Sequence, residues 1–247
     1  MDDLYADAEL YDLVAPRSLE MERFYVEAAG GPGRSVLELA CGSGRLTLPL
    51  AASGADVTGG DLSETMLDRG RLASAESGLN ANFVRLDMRD FSLGRRFDSV
   101  VIAANSLMHL HTLDDFARAF TTIRRHLAEN GSLVFDIFVP SARLLSLAPE
   151  ERQLMGTFHH PHMGDVKVEE TIAYDPISQI SRADWYWSTS AQRDFRHTPL
   201  ELRQIYPQEL PLLLQLGGLK LTERFGDFER SPITTQSRRQ VCVATAA

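Results

Sequence analysis

Apolar positions along this chain follow two different periods. Between residues 35 and 138, short runs rich in valine, leucine and isoleucine alternate with stretches whose apolar residues recur every three or four places. A continuously apolar run suits a strand buried on both faces, and the longer spacing suits an amphipathic helix. The pattern predicts strands over 35–39, 55–60, 82–86, 97–104 and 132–138. Helices are expected over 45–53, 64–78 and 113–127, the last stopped by Glu129-Asn130-Gly131. Strands alternating with helices in this way make an α/β domain with a mostly parallel sheet.

From about residue 165 the period changes. Residues 166–172 and 178–188 alternate apolar with polar, as half-exposed antiparallel strands do, with Asp175-Pro176 as the turn and a third strand near 200–206. A helix starting at Pro207 and ended by Gly217-Gly218 follows, then strands over 219–225 and 240–245. Residues 1–34 are acidic and helical in pattern, with Tyr5, Tyr11, Phe24 and Tyr25 on apolar stripes, and Gly30-Gly31-Pro32-Gly33 breaks them off. Nothing in the 247 residues reads as a repeat, a low-complexity tract or an interdomain linker, so a single domain over 1–247 is expected, carrying an antiparallel insertion over 156–206.

Composition narrows the functional classes. A net charge of −9 argues against nucleic acid as a partner, since phosphate contacts need a basic patch. No apolar run reaches the ~18–20 residues of a membrane span, and the N-terminus lacks the basic and apolar regions of a signal peptide. Cys41 and Cys242 are too few for a disulfide framework, so a cytoplasmic location is expected.

The chemistry centres on the end of the first strand, Glu38-Leu-Ala-Cys-Gly42-Ser-Gly44. Glycines there let the backbone turn sharply and let a ligand approach it, while the following helix offers unpaired N–H groups. A dinucleotide fingerprint would place a third small residue where Thr47 stands, and no P-loop lysine follows. Asp61 lies 19 residues beyond Gly42, close to the spacing at which an acid reaches a ribose hydroxyl. It also reads as the start of a turn with Ser63 as helix N-cap, and the two readings are compatible. Asp87 ends the third strand, so Glu38, Asp61 and Asp87 stand at three successive strand tips.

With Ala40 in place of its first glycine, Ala40-Cys-Gly-Ser-Gly44 after Glu38 resembles the first motif of the class I S-adenosylmethionine (SAM)-dependent methyltransferases. The likeness extends through Asp61, Asp87, the Asp98-Ser-Val100 strand, Gly131-Ser-Leu-Val-Phe-Asp136, Tyr206-Pro-Gln-Glu-Leu210 and Phe225-Gly-Asp-Phe228, about residues 10–245. It implies a Rossmann-like sheet of seven mostly parallel strands with helices on both faces, the first beside the fourth. It also implies SAM as cofactor, with S-adenosylhomocysteine as product.

Carried over residue by residue, the resemblance places Glu38, Ala40, Gly42 and Gly44 on the cofactor turn. Asp61 takes the ribose, Leu62 and Met66 the adenine, Asp87 the adenine amine and Met88 the ring face. Ala104 and Asn105 lie near the methionine portion. Residues 1–34 become a lid with Tyr11 and Arg17 near the amino-acid end, although the tyrosine stripes fit plain packing as well. His109 is either a general base or a capping and packing residue, and Tyr11 is the alternative base. His111, His159, Trp185 and Trp187 are the acceptor-site residues of a small sheet that roofs the substrate. Phe158-His-His-Pro-His162 matches no zinc spacing, so no metal is expected, and this stretch reads as a loop; His126 is expected on a solvated helix face.

The pattern looks closest to small-molecule N-methyltransferases of secondary metabolism. A nitrogen heterocycle of the azapteridine kind is preferred as acceptor, with an amino sugar or an oxygen acceptor as alternatives. The partner expected is a small molecule, with the chain a monomer or homodimer. Two other classes stay in view. One is a SAM-binding protein without methyl transfer. The other is a nicotinamide-dependent oxidoreductase, disfavoured by Thr47 and the lack of a Tyr-x-x-x-Lys hydride site.

Overall fold

A computed structural model describes residues 4–15 and 17–247. The helices are α1 (Ala8–Val14), α2 (Leu19–Ala29), α3 (Thr47–Ala52), α4 (Glu64–Ser77), α5 (Leu113–His126), α6 (Ala142–Leu145) and α7 (Leu210–Leu216). The strands are β1 (Ser35–Leu39), β2 (Asp56–Asp61), β3 (Ala81–Arg85), β4 (Phe97–Ile102), β5 (Leu127–Phe138), β6 (Gln153–His160), β7 (Gly164–Asp175), β8 (Ile180–Ser188), β9 (Arg196–Arg203), β10 (Leu219–Phe225) and β11 (Arg239–Ala246). They sort into two units: Arg17–Val139 with Ile205–Ala247, and Pro140–Gln204 with the described N-terminal residues.

The larger unit holds a seven-stranded sheet in the order β10-β11-β5-β4-β1-β2-β3. Strands β1 to β5 run parallel, and β11 pairs antiparallel with both β5 and β10. The all-apolar runs read from the sequence are the central strands, buried on both faces. Because β1 lies between β2 and β4, the winding direction reverses beside it, which opens a crevice at the strand ends. Phe24 and Tyr25 of α2 pack with Val36, Leu50, Val57, Val101, Val134 and Val241 to form the core on one side. Ser63 caps α4 and Thr112 closes a capping box with Asp115 at α5, so both helices start where short polar side chains satisfy their free N–H groups.

Two local expectations are corrected. Helix α3 starts at Thr47, two residues late, because the turn consumes Gly44, Arg45 and Leu46. His126 is buried, not solvated: its ring lies 4.4 Å from that of Phe91, its Nδ1 is 2.8 Å from the Thr122 carbonyl and its Nε2 accepts the Leu93 N–H at 3.2 Å.

The smaller unit is an antiparallel meander, β6-β7-β8-β9. Its third expected strand starts earlier, at Arg196, and a further strand, β6, takes up Phe158–His160 of the histidine segment that reads as a loop, leaving Pro161 and His162 in the turn. A bulge between Leu154 and Gly156 blurs the alternation there. Val166, Val168 and Trp187 share one face with Leu4 and Leu10, flanked by Tyr5, Tyr11 and Trp185. Arg196 pairs with Asp7, the N-cap of α1, at 2.7 Å.

Candidate functional site

At the end of β1 the backbone is left-handed at Ala40 (φ 55°), Gly42 (55°) and Gly44 (84°). Gly44 is required by packing, since a Cβ there would meet the Phe83 ring at 2.9 Å. A Cβ on Gly42 would meet nothing within 4 Å, so the turn faces open space. Behind it, the fully enclosed Glu38 carboxylate accepts a hydrogen bond from Thr47 Oγ1 at 2.5 Å, tying the strand to the first residue of α3. Burial pushes the Glu38 carboxyl up to about 8, against the pull of the Thr47 hydroxyl and Arg45.

Asp61 joins two strand tips. Its Oδ2 accepts the Gly42 N–H at 2.8 Å and its Oδ1 accepts the Ser63 N–H at 2.8 Å, so one carboxylate holds both the glycine turn and the start of α4. Each oxygen keeps a lone pair for a further donor. Leu62 beside it is 57 % exposed, whereas Met66 is fully buried. Past β3, Asp87 is gripped by Arg89 through Nε (3.0 and 3.1 Å) and Nη2 (2.6 Å), and Arg89 also reaches Asp115 at 3.2 Å. The Arg89 guanidinium holds the Asp87 carboxyl below the usual carboxylate range. Met88 is half-buried.

Beyond β4, Ala104 (φ 55°) and Asn105 (φ 65°) are two consecutive left-handed residues. The Ala104 N–H donates to Asp136 Oδ1 at 2.8 Å, and the wholly buried Asp136 also accepts from Tyr25 Oη at 2.6 Å and Arg239 Nη1 at 3.3 Å. Asn105 Oδ1 is buried without a hydrogen-bond partner. A short 3-10 turn, Ser106–His109, follows, with His109 and His111 half-buried.

The structure therefore gathers Glu38, Ala40, Gly42, Gly44, Asp61, Leu62, Ala104 and Asn105 at the ends of β1, β2 and β4, with Asp87 just past β3. Arg17 stands on the larger unit as a bidentate partner of Glu22. Tyr11, His159, Trp185 and Trp187 belong to the smaller unit. There Tyr11 lies 5.3 Å from Tyr5, and Trp187 fills the core and donates to Thr198 Oγ1 at 2.9 Å. Exposed His159 sits 3.2 Å from Asp165, and Trp185 donates to Glu170 at 3.2 Å.

The supporting residues Thr47, Tyr25, Arg89 and Asp136 escaped the sequence reading of the site. Thr47 and Asp136 lay inside motifs already singled out, but nothing local signals that a carboxylate on β5 holds the turn after β4. Among the described residues no group of histidines, cysteines and acids is arranged to hold a metal.

The site fits SAM on its own terms. Its open face lies at Gly42, Asp61 offers acceptors for vicinal hydroxyls, and Asn105 Oδ1 is a buried acceptor in need of a donor such as an ammonium.

The family model described as a methyltransferase domain matches residues 36–131. The structure of the CcbJ methyltransferase from Streptomyces caelestis is 31 % identical over the whole of both chains, with a TM-score of 0.84. The putative methyltransferase YqeM of Bacillus subtilis (strain 168) is 29 % identical over 245 residues, 94 % of this chain and 92 % of that protein. The dTDP-3-amino-3,6-dideoxy-alpha-D-glucopyranose N,N-dimethyltransferase of Streptomyces fradiae is 34 % identical over 136 residues, 52 % of each chain. The fold, the cofactor crevice and the match to CcbJ along its full length lead to one conclusion: this chain is an enzyme of the class I SAM-dependent methyltransferase family.

Proposed function

We propose that this methyltransferase acts on an amine nitrogen of a small molecule, with an amino sugar as the favoured acceptor class. The observation that carries this reading is the 34 % identity to an amino-sugar N,N-dimethyltransferase across half the chain. The nitrogen heterocycle expected from the sequence has only the half-exposed indole of Trp185 in its favour and stands as the second reading.

When bound, SAM supplies a methyl group on a positively charged sulfur, which is reactive without further activation. The chain's task is then to position the reactants and exclude water. Gly42 leaves room for a cofactor against the turn, and Asp61, which holds that turn, would accept from a ribose hydroxyl. Arg89 holds Asp87 in one orientation, from which it would accept from the adenine amine. Asp136 fixes the left-handed pair Ala104–Asn105, which would hold the methionine portion. An amine in its free-base form attacks through its own lone pair, so a base need only collect the N–H proton afterwards. His109, on the turn after β4, is assigned that task.

The test measures S-adenosylhomocysteine release across dTDP-amino sugars, nitrogen heterocycles and catechols. Turnover confined to the amino sugars supports the proposal. Turnover confined to catechols overturns it.

A further inference from the structure

Four residues of α5, Arg118, Thr121, Thr122 and Arg125, recur at the helical spacing i, i+3, i+4, i+7 and so share one face of that helix. This face and the segment after Asp87 enclose a surface cleft of about 310 Å³, to which Arg89 and Asp90 contribute from the other side. The cleft lies wholly within the larger unit. Three guanidinium groups line it, against the grain of a chain whose net charge is −9.

Two of the three are held in place. Arg89 is clamped by Asp87 and Asp115, which also neutralise it. Arg125 Nη2 donates to Thr122 Oγ1 at 3.1 Å, and the buried Thr122 hydroxyl donates onward to the Arg89 carbonyl at 3.3 Å. Arg118 and Arg125 are both exposed, and among the described residues neither forms an ion pair; the Arg118 charge is felt at Asp87 without pairing to it. Asp90, the acid lining the cleft, is exposed and in no ion pair either.

Two free cations against one carboxylate leave an excess of positive charge, which an anion meeting both guanidinium groups relieves. Arginine forks match the oxygens of a phosphoryl group. Arg118 and Arg125 are rooted seven residues apart on the helix, about 10.5 Å at 1.5 Å per residue, so an anion with two phosphoryl groups meets both forks more readily than a single phosphate. The volume suits a small molecule.

We propose that Arg118 and Arg125, with Thr121 between them, form a binding site for a diphosphate anion, separate from the glycine turn that takes the cofactor. The site stands whether the methyl acceptor is an amine or a hydroxyl.

Sodium diphosphate is titrated calorimetrically, at constant ionic strength and without divalent metal, into protein saturated with S-adenosylhomocysteine, so that the cofactor crevice is already filled. The wild type should bind it saturably, and malonate, a dianion without phosphoryl oxygens, roughly tenfold more weakly. The double variant Arg118→Gln/Arg125→Gln should keep its melting temperature, since both side chains are exposed, and bind diphosphate roughly tenfold more weakly or worse. Asp90→Asn removes the opposing charge and should tighten binding. Adenosine diphosphate separates the two sources of this chemistry. Affinity equal to that of diphosphate makes the free anion sufficient, and tighter binding that the double variant abolishes assigns the site to a nucleotide. No saturable heat in the wild type, equal diphosphate affinity in the double variant, or weaker binding by Asp90→Asn overturns the site.

Discussion

Tyr25 Oη donates to Asp136 Oδ1 at 2.6 Å, and that same oxygen accepts the Ala104 N–H at 2.8 Å. A helix that precedes the sheet is thereby linked, through a buried carboxylate on β5, to the backbone turn after β4. Left-handed φ at a residue with a Cβ costs on the order of 1 kcal/mol, and here two such residues stand together. The Asp136 bond to the Ala104 N–H helps keep this conformation populated. Tyr25→Phe should therefore lower stability by about 1.5–3 kcal/mol, the range for a hydrogen bond to a charged group. It should also weaken SAM binding as the Ala104–Asn105 turn loosens. Urea unfolding checks the first expectation and calorimetry with SAM the second; a stability loss with unchanged SAM affinity would confine the link to folding.

Removing Asp61 tests the ribose assignment. Asp61→Ala leaves the Gly42 and Ser63 N–H groups without their acceptor and removes the proposed hydroxyl contact. SAM affinity should fall by about 1–3 kcal/mol, roughly 5–150-fold in Kd. Isothermal titration with SAM measures it, and an unchanged Kd removes Asp61 from the cofactor site.

The legible parts of this site were those that are local in sequence. The glycine turn, the three acids and the small residues after β4 announce themselves because each lies within a few residues of the end of its strand. The Tyr25–Asp136 bond spans 111 positions and depends on a sheet order that no local pattern contains. Strand β6 was hidden by its bulge. Arg89 stood in plain view beside Asp87, but pairing at a two-residue separation is a matter of turn geometry.

Arg89 offers a cleaner probe of orientation. Both partners of its ion pair with Asp87 are partly exposed, so the pair itself contributes little to stability, about 0–1 kcal/mol. Arg89→Ala should leave the melting temperature nearly unchanged. It should raise the KM for SAM about three- to tenfold, because Asp87 loses the fork that orients it. A KM equal to that of the wild type would mean that Asp87 orients itself or does not touch the cofactor.

Ala40 occupies the position where the family pattern has glycine, and its φ is 55°. Ala40→Gly relieves that strain, on the order of 1 kcal/mol, but adds freedom to the unfolded chain, about 0.4–1 kcal/mol. The two nearly cancel, so thermal unfolding should show a change within about 0.5 kcal/mol, with stabilisation the expected sign. A loss beyond that margin would mean that the alanine methyl makes contacts that offset its strain.

The buried Glu38 makes a pH signature. Its carboxyl titrates near 4.5 in the unfolded chain and at about 8 when folded, so between those values the folded state holds more of the proton. Stability falls with rising pH wherever the folded state binds more protons, so this group contributes a loss that begins near pH 4.5 and is complete by about pH 8. A shift of that size corresponds to at most about 4–5 kcal/mol. Asp136, also raised by burial, acts in the same direction. Glu38→Gln keeps an acceptor for the Thr47 hydroxyl and removes the titration. Its melting temperature should therefore decline less between pH 5 and pH 8 than that of the wild type. Melting curves at pH 5, 6.5 and 8 make the comparison, and parallel declines in the two proteins would show that Glu38 is already ionised in the folded state at pH 5.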